Sequence, residues 1–285
     1  MKGANKDFFG ETPTWCSGCG DFPIRMGLAS ALTQLGHDPS SVFIIFGIGC
    51  SGNMNDFLNA YAMHPLHGRS VANAVGAKLA NHKMPVIVVA GDGDCYGEGG
   101  NHLLHALRGN HDITVIVHDN RVYGLTTGQV APTAKEGDIS KSTPAGIIER
   151  PVNPLTLGIT QGASYVAQGF SGELAQLTDL IRGGIEHKGF SLINILQPCV
   201  TFNRVSTYQY YLKNAYKLPE NYNPDDHDMA LLKACELDRE KFPLGVIYKT
   251  DKPSYHARVA ELEGKDSLIS RERFTDFDGI ISQFV

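Results

Sequence analysis

One group of side chains in this sequence offers oxygen ligands to a metal ion. The segment GDGD at 91–94 follows a short buried apolar run, and Asn120 follows the next such run, 28 residues after Asp92. Adjacent parallel strands would bring Asp92 and Asn120 to the same edge of a sheet. Together with a backbone carbonyl near Val122 they are hard oxygen ligands of the kind that Mg²⁺ prefers. The spacing therefore predicts a magnesium site.

The glycines around Asp92 predict that the metal is bound together with a diphosphate. Gly91 and Gly93 let backbone N–H groups approach phosphate oxygens, and a helix predicted from about Gly99 directs its positive end towards them. Taken alone, GDGD could be a tight strand-to-helix turn, with Asn120 as a loop cap. The full pattern, GDG after one strand and Asn after the next, matches the motif of proteins that bind thiamine diphosphate.

A second group consists of four cysteines in predicted loops. Cys16 and Cys19 form a C-x-x-C loop, Cys50 follows the first predicted strand, and Cys199 follows the fourth. Four thiolates can hold a [4Fe–4S] cluster or a tetrahedral Zn²⁺. Structural zinc sites usually pair two C-x-x-C knuckles in one small module, whereas here one pair and two distant cysteines converge only through the fold. This spacing favours a cluster inside an enzyme core.

The two remaining cysteines are predicted to be structural. Cys95 directly follows GDGD and is expected to pack beside the site, and Cys235 lies in the apolar pattern of a helix and is expected in the core. Six cysteines in 285 residues are too few for a disulfide scaffold, which favours reduced thiols that serve as ligands.

Apolar runs and helical stretches alternate along the first two thirds of the chain. The predicted strands are 42–46, 86–90, 113–117 and 191–196, and the predicted helices are 22–35, 71–80, 99–108 and 171–187. Uninterrupted apolar runs of this length are typical of strands buried on both faces of a parallel sheet. The alternation predicts a doubly wound, mostly parallel α/β sheet with ligands beyond the carboxyl ends of its strands.

The composition changes after about residue 202. We expect residues 1–202 to form the domain that carries the site, and residues 203–285 to form an irregular extension that packs on this domain or on a partner. The extension contains a predicted helix at 228–237 and no predicted strand after Leu244. Its tyrosines, together with Phe274, Phe277 and Phe284, predict a large subunit interface, where aromatic residues are enriched. The alternative is that they cover the core of this chain.

Charge and hydropathy narrow the function classes. The chain has 25 Lys and Arg against 30 Asp and Glu, a formal net charge of −5. A mild acidic excess argues against nucleic acid or an anionic membrane as the main partner. No apolar run approaches the roughly 18 residues of a membrane helix, and no apolar signal-peptide core follows Met1. A soluble, cytoplasmic protein is expected.

Taken together, these motifs resemble the beta subunit of 2-oxoacid:ferredoxin oxidoreductases of the two-subunit kind, which includes 2-oxoglutarate:ferredoxin oxidoreductases. The similarity extends from about Trp15 to Cys199. It is carried by WCSGCGD at 15–21, GIGCSGN at 47–53, HGR at 67–69, KLAN at 78–81, GDGDCYGEGGNHLLHALRGN at 91–110 and DNRVYGLTTGQ at 119–129.

The resemblance implies a role for each group of residues. It implies that one [4Fe–4S] cluster is held by Cys16, Cys19, Cys50 and Cys199, and that Mg²⁺ is bound by Asp92, Asn120 and the carbonyl of Val122. The thiamine diphosphate contacts it implies are Ile48, Gly49, Cys50, Ser51, Gly91, Gly93, Asp94, Gly124 and Leu125. His67 is placed near the substrate, as an acid/base or carboxylate-binding group, and the alternative is a hydrogen-bonded structural histidine.

The resemblance also implies an activity. This is the oxidative decarboxylation of a 2-oxoacid, foremost 2-oxoglutarate, with coenzyme A to an acyl-CoA and CO₂, or the reverse reductive carboxylation. Electrons pass through the cluster to ferredoxin, and the active site is completed by an alpha subunit, in a heterodimer or a dimer of heterodimers. Alternatives are a pyruvate or broad-specificity oxidoreductase, a non-redox thiamine decarboxylase subunit, and a zinc-bound structural protein.

Overall fold

The structure is a computed structural model, and it describes residues 8–272 and 276–285. The α-helices of these residues are α1 (Asp21–Gln34), α2 (Met54–Phe57), α3 (Ser70–Ala80), α4 (Gly100–Gly109), α5 (Pro154–Gln161), α6 (Leu174–Glu186), α7 (Tyr208–Asn214), α8 (His227–Ala234) and α9 (Phe277–Ile281). The strands are β1 (Phe43–Phe46), β2 (Tyr61–Met63), β3 (Val86–Gly91), β4 (Thr114–Asp119), β5 (Val122–Tyr123), β6 (Gln129–Val130), β7 (Tyr165–Phe170), β8 (Ser191–Leu196), β9 (Ala215–Lys217) and β10 (Phe242–Lys249).

Eight of these strands form one sheet in the order β2-β1-β3-β4-β8-β7-β10-β9. Neighbouring strands are parallel except for β10, which pairs antiparallel with β7. β5 and β6 form a separate antiparallel hairpin. Because β1, β3 and β4 run in the same direction, the loops that follow them meet at one edge of the sheet.

Helices cover both faces of the sheet. Side chains of β3 alternate between two cores, because Val86 and Val88 pack on one face and Ile87 and Val89 on the other. The first core is closed by residues of α3, α4, α5 and α8, and the second by residues of α1 and α6. Burial on both faces explains why these strands read as uninterrupted apolar runs.

The predicted fold class is confirmed, and the four predicted strands are present as β1, β3, β4 and β8 within two residues of their expected bounds. The predicted helices correspond to α1, α3, α4, α6 and α8. α5 and β7 were not predicted, although α5 has a clear start and stop. The Asn153 side chain accepts from Leu155 N and Thr156 N at 3.2 Å, Pro154 occupies the first turn, and Gly162 follows the helix with φ +97°.

The prediction that no strand follows Leu244 is wrong. β10 extends through this residue from Phe242 to Lys249, and it pairs with β7 on one side and β9 on the other. The strand was not predicted because Pro243 and Gly245 interrupt the apolar alternation of its sequence. In the structure Gly245 has a positive φ, and the pairing register with β7 shifts between Val246 and Tyr248. Residues beyond 203 thus contribute two strands to the sheet, and the boundary near 202 stays a prediction.

Part of the tyrosine-rich segment packs on this chain, as the alternative expectation had it, and an interface role for the partly exposed tyrosines stays a prediction. Tyr211 is fully buried, and it packs with Phe170 and Phe242 in a core of its own. Phe277 and Phe284 are 68% and 85% exposed, as the interface prediction required of them, and Phe274 lies outside the described residues.

Two further expectations from the sequence concern the burial of Cys235 and membrane-spanning helices. Cys235 was expected in the core but is exposed, because α8 ends at Ala234 and Cys235 begins a 3-10 turn. Among residues 8–272 and 276–285, no helix is long and apolar enough to cross a membrane.

Candidate active site

The loops after β1, β3 and β4 enclose a cavity of about 70 Å³ at the carboxyl edge of the sheet. Every oxygen ligand, diphosphate contact and substrate-binding residue expected from the sequence lines it: Ile48, Gly49, Cys50, Ser51, His67, Gly91, Asp92, Gly93, Asp94, Asn120, Val122, Gly124 and Leu125. Tyr123 and Thr126 complete the lining. The fold therefore brings together segments that are up to 78 residues apart in the sequence.

Asp92 is the buried acid of this cavity, and it begins a π-helical turn at Gly93–Glu98. Its Oδ1 accepts from Gly93 N at 2.9 Å, and its Oδ2 accepts from Arg121 N at 2.8 Å and from Thr133 Oγ1 at 2.5 Å. Burial, followed by the nearby Asp119, raises the pKa of Asp92 to about 8. A bound cation would relieve both effects, so this donor set fits a metal ion.

Asn120 is fixed by contacts on both sides. Its Oδ1 accepts from Val122 N at 3.0 Å, and its carbonyl accepts from Asn203 Nδ2 at 3.0 Å. Arg121, between Asn120 and Val122, has φ +62° and directs its N–H to Asp92. The turn thereby connects the loop after β4 to the loop after β3.

Glycines and one unpaired hydroxyl shape the cavity for a ligand. A Cβ at Gly93 would lie 2.3 Å from the Tyr123 ring, and one at Gly91 would lie 3.4 Å from Ser51 Oγ. Ser51 Oγ is buried and has no hydrogen-bond partner among the described residues. A buried hydroxyl normally finds a partner, so Ser51 fits a site where a ligand oxygen completes its hydrogen bonding.

Asp94 connects three segments around the cavity. Its carboxylate accepts from Ile48 N at 3.0 Å, Gly68 N at 2.8 Å and Ser70 Oγ at 3.3 Å. His67 Nδ1 lies 3.0 Å from Asp94 Oδ1, and the His67 side chain is 38% exposed at the rim. The Asp94 carboxylate therefore holds the surrounding loops together and lies beside His67.

The four cysteines come from loops that meet beside the cavity. A Cβ at Gly124 would lie 3.5 Å from Cys50 Sγ and 3.6 Å from Cys199 Sγ, so both sulfurs flank this glycine. The C-x-x-C loop is joined to them by Trp15 Nε1, which donates to the Cys50 carbonyl at 2.8 Å, and by Gly20 N, which donates to Pro198 O at 3.4 Å.

The thiols also interact electrostatically. Burial, then Asp21, Cys199 and Cys16, raises the pKa of Cys50 to about 12. Burial, followed by Asp21, raises the pKa of Cys19 as well. No three His, Cys, Asp or Glu side chains in the described part of the chain converge at the distances of a single metal ion. Four thiols from loops that meet beside the cavity are the donor type that a [4Fe–4S] cluster uses, with one cysteine on each iron atom.

Sequence reasoning missed Thr133, Asp119 and Asn203. Thr133 approaches Asp92 from the loop after β6, and no periodic pattern marks that loop. Asp119 directly precedes Asn120, and its position at the end of an apolar run was the available signal.

A second cavity, of about 870 Å³, is lined by Arg121 and Thr133 and by residues within 135–153 and 237–240. The predicted ligands line the smaller cavity, which is therefore the candidate site.

Comparison with known proteins agrees with this geometry. Residues 47–195 match the family model of the thiamine pyrophosphate enzyme, C-terminal TPP-binding domain. Residues 199–264 match the family model for the C-terminal part of the pyruvate ferredoxin oxidoreductase beta subunit. The fold and site thus define a thiamine-diphosphate-binding subunit of an oxidoreductase.

Individual relatives specify the family. A 2-oxoacid:ferredoxin oxidoreductase subunit beta of Saccharolobus solfataricus is 42% identical over 265 residues, which cover 88% of this chain and 87% of that one. The 2-oxoglutarate oxidoreductase subunit KorB of Mycobacterium tuberculosis is 41% identical over 199 residues, 70% of this chain and 53% of the relative. The chain belongs to the beta subunits of the 2-oxoacid:ferredoxin oxidoreductases.

A solved structure is similar over nearly the whole chain. It is the 2-oxoglutarate:ferredoxin oxidoreductase of Magnetococcus marinus with 2-oxoglutarate, coenzyme A and succinyl-CoA bound. The TM-score is 0.91 at 37% identity, and the match covers 99% of this chain and 96% of that chain. The likeness therefore includes the tyrosine-rich segment and the strands that follow it.

Proposed function

We propose that this chain is the diphosphate-binding half of an enzyme that oxidatively decarboxylates 2-oxoglutarate with coenzyme A. The products are the acyl-CoA, CO₂ and reduced ferredoxin, and the reverse reductive carboxylation uses the same site. The observation that carries the proposal is the convergence of Asp92, Asn120 and Ser51 on one cavity beside four cysteines. The choice of 2-oxoglutarate is supported by the Magnetococcus marinus enzyme and by the KorB relatives.

Asp92, Asn120 and the Val122 carbonyl would hold Mg²⁺, which joins the diphosphate to the protein. Ser51 would donate its hydroxyl to the ligand. Gly93 is required because a Cβ there would collide with the Tyr123 ring, which also lines the cavity. When bound, thiamine diphosphate supplies stabilisation of the carbanion that forms as CO₂ leaves the 2-oxoacid. The protein would position the cofactor, because the buried Asp92 carboxylate attracts a cation and the cavity fixes where that cation binds.

Cys16, Cys19, Cys50 and Cys199 would hold a [4Fe–4S] cluster next to this cavity. Cys50 and Gly124 both line the cavity, and a Cβ at Gly124 would lie 3.5 Å from Cys50 Sγ and 3.6 Å from Cys199 Sγ. When bound, the cluster would supply a one-electron acceptor beside the cavity, which suits ferredoxin as the external electron carrier. Gly124 carries no side chain that would fill the space beside these two sulfurs.

His67 would orient the substrate at the rim. Its Nδ1 lies 3.0 Å from Asp94 Oδ1, and the side chain lines the cavity and is 38% exposed. Nε2, the other ring nitrogen, would then be the atom that meets a substrate carboxylate or proton. Asp94 serves as a positioning residue, since its oxygens already contact backbone and side-chain donors.

The site requires an alpha subunit. A cavity of about 70 Å³ is far smaller than the roughly 300–1,000 Å³ of a site that encloses a whole ligand. The described residues therefore enclose the diphosphate end, and the remainder of the cofactor would lie against the partner. The assembly is a heterodimer or a dimer of heterodimers.

The proposal is tested by co-purifying the chain with its alpha subunit and measuring viologen reduction with each 2-oxoacid. We expect reduction that depends on coenzyme A, with a higher kcat/KM for 2-oxoglutarate than for pyruvate. A preference for pyruvate would overturn the substrate assignment. Decarboxylation of either substrate with no electron delivered to viologen would overturn the oxidoreductase assignment of the site.

A further inference from the structure

We propose that the side-chain amide of Gln197 donates a hydrogen bond to the Cys19 sulfur and thereby raises the reduction potential of the cluster. This inference rests on the proposed [4Fe–4S] site. Gln197 directly follows β8, and its backbone N–H donates to the Asp119 carbonyl at 2.9 Å. The side chain therefore starts from a rigid position at the carboxyl edge of the sheet.

The amide reaches both an acceptor and the sulfur. Gln197 Nε2 lies 3.3 Å from Cys19 Sγ and 3.2 Å from the Pro198 carbonyl oxygen. A thiolate ligand and a carbonyl oxygen only accept hydrogen bonds, so the NH₂ end of the amide is the one that suits both. Reversing the amide would place an acceptor against two acceptors.

Two further features indicate that this amide is not placed for stability. Gln197 is 1% exposed, and its Oε1 has no hydrogen-bond partner among the described residues. A buried, unsatisfied acceptor costs free energy that an apolar side chain would not. Gly20 makes the contact possible, because a Cβ there would lie 2.8 Å from Gln197 Cγ.

The opposite side of the same sulfur faces a carboxylate. Cys19 Sγ lies 3.1 Å from Asp21 Oδ2, and Asp21 Oδ1 is held by His118 Nδ1 at 2.6 Å. The negative charge of a carboxylate opposes the addition of an electron to the cluster. The amide N–H of Gln197 acts in the other direction, because its positive end stabilises the more negative reduced state.

The test is a redox titration of the holo heteromer, followed by electron paramagnetic resonance, with Gln197→Leu against the wild-type enzyme. We expect the midpoint potential to fall by about 59 mV or more, a tenfold change for one electron. The matched control is Gln168→Leu, a buried glutamine of β7 whose Nε2 donates to the Pro243 carbonyl at 3.0 Å. An unchanged potential in Gln197→Leu at full iron content would overturn the inference.

A measurement on the wild-type enzyme covers the case in which Gln197→Leu loses its cluster or does not fold. Glutamine labelled with ¹⁵N at the side-chain amide should give a nuclear coupling to the reduced cluster in pulsed resonance spectra. A reduced cluster without that coupling would refute the hydrogen bond while leaving the proposed function intact. Wild-type heteromer that lacks iron altogether would refute the cluster and this inference together.

Discussion

At the residue scale, the site is governed by two buried carboxylates on neighbouring strand ends. Asp92 receives three hydrogen bonds, yet burial and Asp119 still raise its pKa. Asp119 Oδ2 accepts from Asn194 Nδ2 at 3.0 Å, while Oδ1 has no partner among the described residues. Two buried carboxylates side by side are unfavourable without a cation, so a bound metal ion would stabilise this edge of the sheet as well as bind the ligand.

Replacing Asp92 by alanine should remove binding of Mg²⁺-thiamine diphosphate while the fold remains. Asp92 is the charged ligand of the proposed set. Even the loss of a residue that only hydrogen-bonds a metal ligand lowers metal affinity about 10–100-fold. We expect a loss of more than about 100-fold, measured by calorimetric titration of the heteromer. Unchanged affinity would show that the metal is held elsewhere.

Thr133→Val should give a smaller effect at the same site. The hydroxyl donates to Asp92 Oδ2, and valine retains the shape while removing the donor. We expect metal affinity to fall by about 10-fold or more, with the far-ultraviolet spectrum unchanged. The same calorimetric titration decides it, and an affinity equal to that of the wild type would mean that Thr133 does not support Asp92.

Serine at any of the four proposed cluster ligands should lower the iron content and weaken the visible absorption of the [4Fe–4S] cluster. The changes are Cys16→Ser, Cys19→Ser, Cys50→Ser and Cys199→Ser. Cys95→Ser and Cys235→Ser are the controls, since Cys95 is buried in the main core and Cys235 is exposed in the turn that follows α8. Iron analysis of anaerobically purified heteromer should give about four irons per chain in the wild type and controls. Stoichiometric zinc would contradict the cluster assignment.

At the scale of elements, the sequence predicted strands that are both buried and rich in branched apolar residues. β3, β4 and β8 are apolar runs buried on both faces, so their strand ends, and with them Asp92, Asn120 and Cys199, could be located. β7 and β10 were not predicted. The buried Gln168 interrupts the apolar run of β7, and Pro243 and Gly245 interrupt that of β10. Pairing between these two strands satisfies their backbone groups, and local composition does not encode such pairing.

The same distinction applies within the site. Metal-ligand types that lie shortly after a predicted strand, such as Asp92 and Asn120, were found, because parallel strands bring their ends together. Thr133 and Gln197 act through side chains whose partners are 41 and 178 residues away. No spacing rule connects such pairs, so only the folded chain reveals them.

Tyr211 should be the residue that attaches the tyrosine-rich segment to the sheet. Its fully buried ring packs edge-on against Phe242 at 5.3 Å between ring centroids. Tyr211→Ala should lower the free energy of unfolding by about 3–5 kcal/mol, as is usual for a large buried aromatic side chain. The thermal midpoint of the heteromer measures the loss.

Leu212→Ala is the control for this prediction, because Leu212 is the next residue of α7 and is 65% exposed. Its effect should stay within about 0.5 kcal/mol. Equal midpoints for the two variants would show that the segment is held by other contacts.

At the scale of the whole molecule, the chain forms one doubly wound sheet with the candidate site at its edge. The cavity of about 70 Å³ is too small to enclose a whole cofactor, and Leu125, which is half exposed, lies in its lining. The sheet uses strands from 43 to 249, so among the described residues a second sheet of comparable size is absent. Completion of the site by an alpha subunit is therefore the central claim.

The most direct test measures CoA-dependent viologen reduction with 2-oxoglutarate and Mg²⁺-thiamine diphosphate in three samples: this chain alone, the alpha subunit alone, and the two together. A mixture that contains the Asp92→Ala chain serves as the control for the assigned cavity. We predict turnover in the wild-type mixture, and none in either single subunit or in the control. Turnover by this chain alone would contradict the divided site, because it would show that the active site is complete within these 285 residues.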